Sequence, residues 1–171
     1  TVELNLGAAP PPPPPEPVTL VAIDDKQMWR YENTGKDLAT AWKEKAFDDS
    51  AWPQGAALLA LESGTVVGNT IRTQLKRQSP AGANIITDYF RTHFTFSGNP
   101  ATTKLQIRQQ VDDGLVLYLN GTEVYRHGLA AGAALNSTTL FASHEGKDGV
   151  DGPFDIPSAA LVVGDNVLAA E

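Results

Sequence analysis

Residues 104–126, KLQIRQQVDDGLVLYLNGTEVYR, constrain the fold more than any other part of the chain. Leu105 and Ile107 alternate with Lys104, Gln106 and Arg108, and Leu115, Leu117 and Leu119 then share one side with Val116 and Tyr118 opposite. Both runs carry the period of two that a half-buried strand requires. Asp112-Asp113-Gly114 is expected to turn the first strand into the second. Asn120-Gly121 offers the two residues that best tolerate the positive φ angles of a type I′ turn, which would return the chain along residues 122–126. The expectation is a three-stranded antiparallel meander.

Other stretches read the same way. In residues 88–96, Phe90, Thr92, Phe94 and Phe96 occupy one face and Tyr89, Arg91, His93 and Thr95 the other. Short strands are expected at 18–23, 28–31 and 138–142 and after Gly164-Asp165-Asn166, with turns at Asp24-Asp25-Lys26 and Asn99-Pro100. Residues 62–83 read as an irregular excursion with one short strand, and 128–134 as flexible. Residues 146–153 read as a loop, and Pro157-Ser158-Ala159-Ala160 as one helical turn. Many short strands between Gly, Pro and Asn signals, without a long helical period, argue for an all-β protein, a β-sandwich or jelly roll. Phe90, Phe94, Leu105, Ile107, Leu117 and Leu119 are the expected core where two sheets face each other.

Near the start, six consecutive prolines, Pro10 to Pro15, with Pro17 behind them, remove the donors a sheet needs and favour polyproline II. Residues 1–17 therefore read as the end of a preceding segment, with a short strand at 1–6, followed by a semi-rigid linker. Residues 18–171 read as one module. At 171 residues and 42% hydrophobic, the chain has material for one core. It has no cysteine, so packing must hold it, with a metal ion as the other available staple. A net charge of -7 disfavours nucleic acid, and Lys76-Arg77 is too small a basic patch to reverse that. No apolar run approaches the roughly 20 residues of a membrane span. The chain starts without Met and stops inside an apolar run, so it reads as a piece of a longer protein with any export signal upstream.

Several motifs in this order carry a resemblance: Phe47-Asp48-Asp49-Ser50-Ala51-Trp52-Pro53, Tyr89-Phe90-Arg91 with Phe94, Asp112-Asp113-Gly114, Tyr118-Leu119-Asn120-Gly121 and Asn166-Val167-Leu168-Ala169. Over residues 18–171 the chain resembles galactose-binding-like jelly-roll modules. Such modules are appended to secreted bacterial hydrolases, phosphoesterases among them, and a related pattern occurs in the sugar-binding domain of family 2 glycoside hydrolases. The chain departs from these relatives at Gly128-Leu129-Ala130-Ala131-Gly132, where an Asn-Met-Pro-type loop is common, and at Glu171, beyond which the last strand usually continues.

The resemblance implies a non-catalytic accessory module of a larger exported bacterial protein, at the cell surface, outside the cell or in the periplasm. It would bind carbohydrate or another surface ligand and sit beside catalytic or other domains of the same parent chain. The alternative is a structural or protein-contact spacer. A part in a hydrolase active site would require residues 62–83 to bring Glu62 or Asp88 to another carboxylate. Candidate ligand-binding residues are Trp42, Arg91, Asp112 and Asp113, and Trp42 is expected to be exposed because Lys43, Glu44 and Lys45 follow it. The tryptophans Trp29, Trp42 and Trp52 could stack on a sugar face, but tryptophans bounding short strands more often cover a core edge, and packing is the favoured reading. Asp112 and Asp113 either cap a tight turn or offer oxygen ligands to Ca²⁺. By analogy with such modules, a structural Ca²⁺ would otherwise sit where the opening and closing strands meet, held by Asp24, Asp25 and Glu171. Asp48-Asp49 reads as a turn, because adjacent carboxylates point apart and cannot flank a glycosidic bond. His93, His127 and His144 lack zinc spacing, and no nucleophile elbow or phosphate-binding loop is present.

Overall fold

A computed structural model describes residues 16–142 and 149–171. The expected strand at 1–6, the Pro10 to Pro15 linker and His144 lie outside the described residues. The strands are β1 (Met28–Glu32), β2 (Gln54–Ala56), β3 (Leu59–Ala60), β4 (Thr65–Val66), β5 (Asn69–Thr70), β6 (Thr73–Gln74), β7 (Tyr89–Phe96), β8 (Leu105–Gln109), β9 (Leu115–Leu119), β10 (Thr122–His127), β11 (Asp151–Ile156) and β12 (Gly164–Ala170). A six-stranded antiparallel sheet has the order β10-β9-β12-β7-β1-β2, and β8 pairs with β11 in a second sheet. The protein is an all-β sandwich.

The pleat explains the layers. Leu117 and Leu119 of β9, Leu168 and Ala170 of β12, and Phe90, Phe94 and Phe96 of β7 point toward the second sheet and meet Leu105 and Ile107 of β8 and Ile156 of β11. The six residues expected as core all lie in this cluster. The opposite face is also covered: Tyr89, Val116, Tyr118, Val167 and Ala169 pack against Trp42, Leu38, Phe47, Trp52, Leu135 and Phe141. Strand β9, most of β12 and the first half of β7 are thus covered on both faces, while His93 and Thr95 of β7 stay exposed, and each fully buried apolar side chain contributes about 1.5–3 kcal/mol.

Several expectations are corrected. Strand β8 does not pair with β9, because Leu105 and Ile107 face Leu117 and Leu119 across the core. Asp112-Asp113-Gly114 therefore carries the chain from one sheet to the other instead of closing a hairpin. The Asn120-Gly121 turn is formed, with φ of 50° and 87°, and joins β9 to β10. Residues 18–23 are not a strand; Leu20 packs against the inter-sheet core without joining a ladder. Residues 138–142 turn instead of pairing: the Asn136 Oδ1 accepts from the Thr138 N–H at 2.9 Å, a local bond that competes with a ladder. Strand β11 begins inside the expected loop, where a bulge between Asp151 and Phe154 accommodates Pro153, which has no N–H to donate. Residues 62–83 hold more order than expected, with the β4–β5 hairpin and β6 laid parallel to β3.

Candidate functional site

Arg91 lies in β7 on the face covered by residues 38–52, and its side chain is fully buried. Its Nε donates to the Asp49 Oδ2 at 2.7 Å. Its Nη1 donates to the carbonyls of Trp42 and Glu44 at 2.5 and 3.0 Å, and its Nη2 to that of Phe47 at 3.4 Å. Arg30 of β1 adds a contact to the other Asp49 oxygen at 3.4 Å. A buried charge is tolerated when it is paired and hydrogen-bonded, and this guanidinium is both. Arg91, expected as a ligand contact, ties the loop between β1 and β2 to the sheet. Asp48, its carboxyl lowered by bonds from Ser50, closes the adjoining turn.

The expected exposure of Trp42 is corrected. It sits in a 3-10 turn, Ala41–Lys43, and is only 1% exposed, edge-on to Tyr89 at 4.8 Å and Tyr118 at 5.8 Å. The tight turn aims its indole inward while Lys43 lies over the Tyr118 ring, 4.2 Å from its centre. No sugar reaches such an indole. Trp52 packs against Phe47 in the same layer.

The expected calcium residues are not gathered. Asp24 Oδ1 accepts from the backbone N–H groups of Lys26 and Gln27 at 2.9 and 2.8 Å, and those bonds lower its carboxyl. Asp25 is exposed. Glu171 accepts the Tyr118 hydroxyl at 2.5 Å, and burial raises its carboxyl, which favours a proton there. Burial, with the Glu171 carboxylate beside it, also raises the Tyr118 hydroxyl. Asp112 and Asp113 are exposed on the crossing loop. No three His, Asp or Glu side chains come together as a metal site among the described residues.

Two hollows flank the short edge strand β2. One, of about 260 Å³, is lined by Gln27, Met28, Arg30, Gln54, Arg91, Thr92 and His93. It has no Phe, Tyr or Trp in its lining. Arg30 donates to the carbonyls of Ser50 and Trp52, Gln27 donates to Thr92, and His93 contacts Asp165.

The other, of about 180 Å³, is lined by Tyr31, Glu32, Asn33, Thr34, Pro53, Gln74 and Lys76. Here half-buried Tyr31 and exposed Pro53 supply the apolar lining, beside Glu32, Thr34, Gln74 and Lys76; Thr34 Oγ1 donates to Glu32 Oε2 at 3.0 Å and Gln74 Nε2 to the Leu61 carbonyl at 3.2 Å. The floor is rigid: the buried Asn33 donates to the Lys76 carbonyl at 3.0 Å and to Asp88 Oδ1 at 2.6 Å, and accepts from the Lys76 N–H. Burial raises the Asp88 carboxyl, the Asn33 bond opposes this, and the nearby Glu32 charge adds to it. Asp88 thus lies near a second carboxylate, brought there by the end of β1, while Glu62 remains exposed.

Pro53 ends the Phe47-to-Pro53 motif and Lys76 belongs to a small basic pair, but nothing in the sequence joined them to Tyr31, Glu32, Asn33, Thr34 or Gln74. Tyr31 reads as the end of the strand expected at 28–31, and Gln74 and Lys76 as part of the irregular stretch at 62–83. The register that sets β1 between β2 and β7 brings them together.

Fold and site together define a β-sandwich module with a small cleft that has one apolar wall and a polar rim. No family model matches the chain, and no curated protein matches it. Among solved structures it is similar to part of a β-glycosidase from Bacteroides vulgatus, with 16% identity, a TM-score of 0.47, and coverage of 84% of this chain and 16% of that one. It is also similar to part of a glycosyl hydrolase family 2 member from Bacteroides cellulosilyticus, at 12% identity and a TM-score of 0.49, with 84% and 16% covered. For a β-glucuronidase from an uncultured Clostridium the values are 16% and 0.49, with 84% and 20% covered. The chain thus spans a fifth or less of each of these proteins.

Proposed function

We propose that this chain is a non-catalytic module of a larger exported hydrolase and that it binds carbohydrate in the Tyr31–Pro53 cleft. The observation that carries the reading is the cleft's composition. A sugar ring presents an apolar C–H face and a rim of hydroxyls, and Tyr31 with Pro53 matches the first while Glu32, Thr34, Gln74 and Lys76 match the second. At about 180 Å³ the cleft is smaller than the roughly 300–1,000 Å³ of drug-sized pockets, so it suits one ring at the end of a chain. A supporting role for the module fits the ion pairing of three of its carboxylates: Asp49 with Arg91, Asp165 with His93 and Lys45, and Glu123 with Arg126.

The test is a glycan array probed with the wild-type chain and with Tyr31→Ala. Binding to a subset of glycans that disappears in the variant, at unchanged melting temperature, supports the reading. A chain that binds no glycan, but whose deletion alters the assembly of the parent protein, is a spacer instead. Turnover of a model glycoside by the wild-type chain, abolished by a single substitution, would overturn the non-catalytic assignment.

A further inference from the structure

Asn120-Gly121 is the dipeptide in which a backbone amide most readily attacks the preceding side chain, because glycine puts no Cβ in the way. In that reaction the Gly121 nitrogen bonds to Asn120 Cγ, the Cγ–Nδ2 bond breaks, and Nδ2 leaves as ammonia with the proton from the amide. Water then opens the resulting five-membered imide at either carbonyl, leaving an aspartate or an isoaspartate.

The fold engages the side-chain atoms this chemistry needs to move. Both Nδ2 protons of Asn120 are in use, one on the Ala160 carbonyl and one on the Asn166 Oδ1, each at 2.8 Å. Its Oδ1 accepts from the Val167 N–H at 2.8 Å, which also fixes which end of the amide is oxygen. These three bonds fix the Asn120 side-chain amide against β12 and the Ala160 carbonyl. The partner cannot adapt: Asn166 is fully buried, its Oδ1 accepts from the Val162 N–H at 2.9 Å, and its Nδ2 donates to the carbonyls of Val162 and Gly164.

We infer that Asn120 is a conformation-gated deamidation site, silent while the β9–β10 turn is docked on β12 and reactive once that contact opens. The product cannot redock. An aspartate at 120 would set a carboxylate oxygen against the Ala160 carbonyl and the Asn166 Oδ1, two acceptors where a donor stood. An isoaspartate would also lengthen the backbone of a two-residue turn and break its register. Opening of this corner is thereby converted into a permanent lesion. The same bonds occupy the nitrogen that the Asn120-Gly121-Thr122 glycosylation pattern would require.

The experiment incubates wild-type protein, folded and in urea, at one mildly alkaline pH and temperature, and follows conversion of Asn120 by peptide mapping with mass spectrometry. Conversion at Asn120 should be at least about tenfold slower in the folded chain, since reaction then requires local opening. Equal rates in the two states would overturn the inference. Asn166→Ala should accelerate conversion in the folded state. Should that variant fail to fold, wild-type protein in graded urea below its unfolding midpoint gives the same reading, with a rate that rises as the corner opens. In a second arm, chains converted while unfolded are returned to native buffer. A refolded fraction that falls with the converted fraction supports the inference, and full recovery with an unchanged midpoint contradicts it.

Discussion

Replacing Asp49 by Asn tests how this sandwich holds its covering layer. The side chain keeps its shape but loses the charge that balances a guanidinium with no solvent exposure at all, and the 2.7 Å bond from the Arg91 Nε loses its ionic partner. Removing one partner of a buried ion pair costs about 3–5 kcal/mol. Arg91 keeps the carbonyls of Trp42, Glu44 and Phe47, which places the expected loss near the lower end, about 3 kcal/mol. For a domain of this size each kcal/mol moves the midpoint by about 2–4 °C, so the expected drop is about 6–12 °C. Urea titration followed by tryptophan fluorescence reads the same loss independently, because Trp42 and Trp52 both sit in the layer that Arg91 anchors. An Asp49→Asn midpoint within about 1 °C of wild type would refute the reasoning and make the Arg91 network incidental to stability.

Leu117→Ala and Trp42→Ala should each destabilise, by about 2–5 and 3–5 kcal/mol, because one empties the inter-sheet core and the other the opposite layer; an unchanged urea midpoint for either would mean that its layer is not packed as described. Glu171 carries a carboxyl raised above its ordinary value of 4.5, so the folded state holds that proton more tightly than the unfolded one. Its contribution is complete below that value and is lost as pH rises through the raised one, so Glu171→Gln should flatten that part of the stability–pH profile, and an unaltered profile would contradict the burial argument. Melting curves in excess EDTA and in millimolar CaCl₂ test the calcium expectation: a calcium-dependent rise supports a native-state ion at Asp24, Asp25 and Glu171 or at Asp112-Asp113, and superimposable curves leave Asp24 as the cap of its own turn.

Period-two patterning made the inter-sheet core legible, because alternation along β7, β8 and β9 states directly which side chains share a face. What it does not state is which strand lies beside which. The turn at Asp112 looked like a hairpin because a short polar connection serves equally to reverse within one sheet or to cross to another. Only the demand that Leu105 and Ile107 bury against Leu117 and Leu119 selects the crossing. Trp42 was misplaced for a related reason: three charged or polar neighbours in sequence say nothing about a residue whose burial is set by a 3-10 turn and an arginine on a distant strand. Arg91 itself lay within a recognisable motif, yet its role depends on Asp49, 42 positions away. The cleft was the least legible part, since Tyr31, Pro53, Gln74 and Lys76 share no spacing and meet only through the β1–β2 pairing and the path of the chain beyond it.

The most direct test of the carbohydrate reading is to follow backbone amide and side-chain chemical shifts of the ¹⁵N-labelled chain while titrating a glycan selected on the array. The account predicts saturable shifts concentrated at Tyr31, Glu32, Asn33, Thr34, Gln74 and Lys76, and absent in Tyr31→Ala. Shifts confined to the opposite edge, on the strand from Thr122 to His127, or to the exposed Asp112-Asp113 loop, would contradict it.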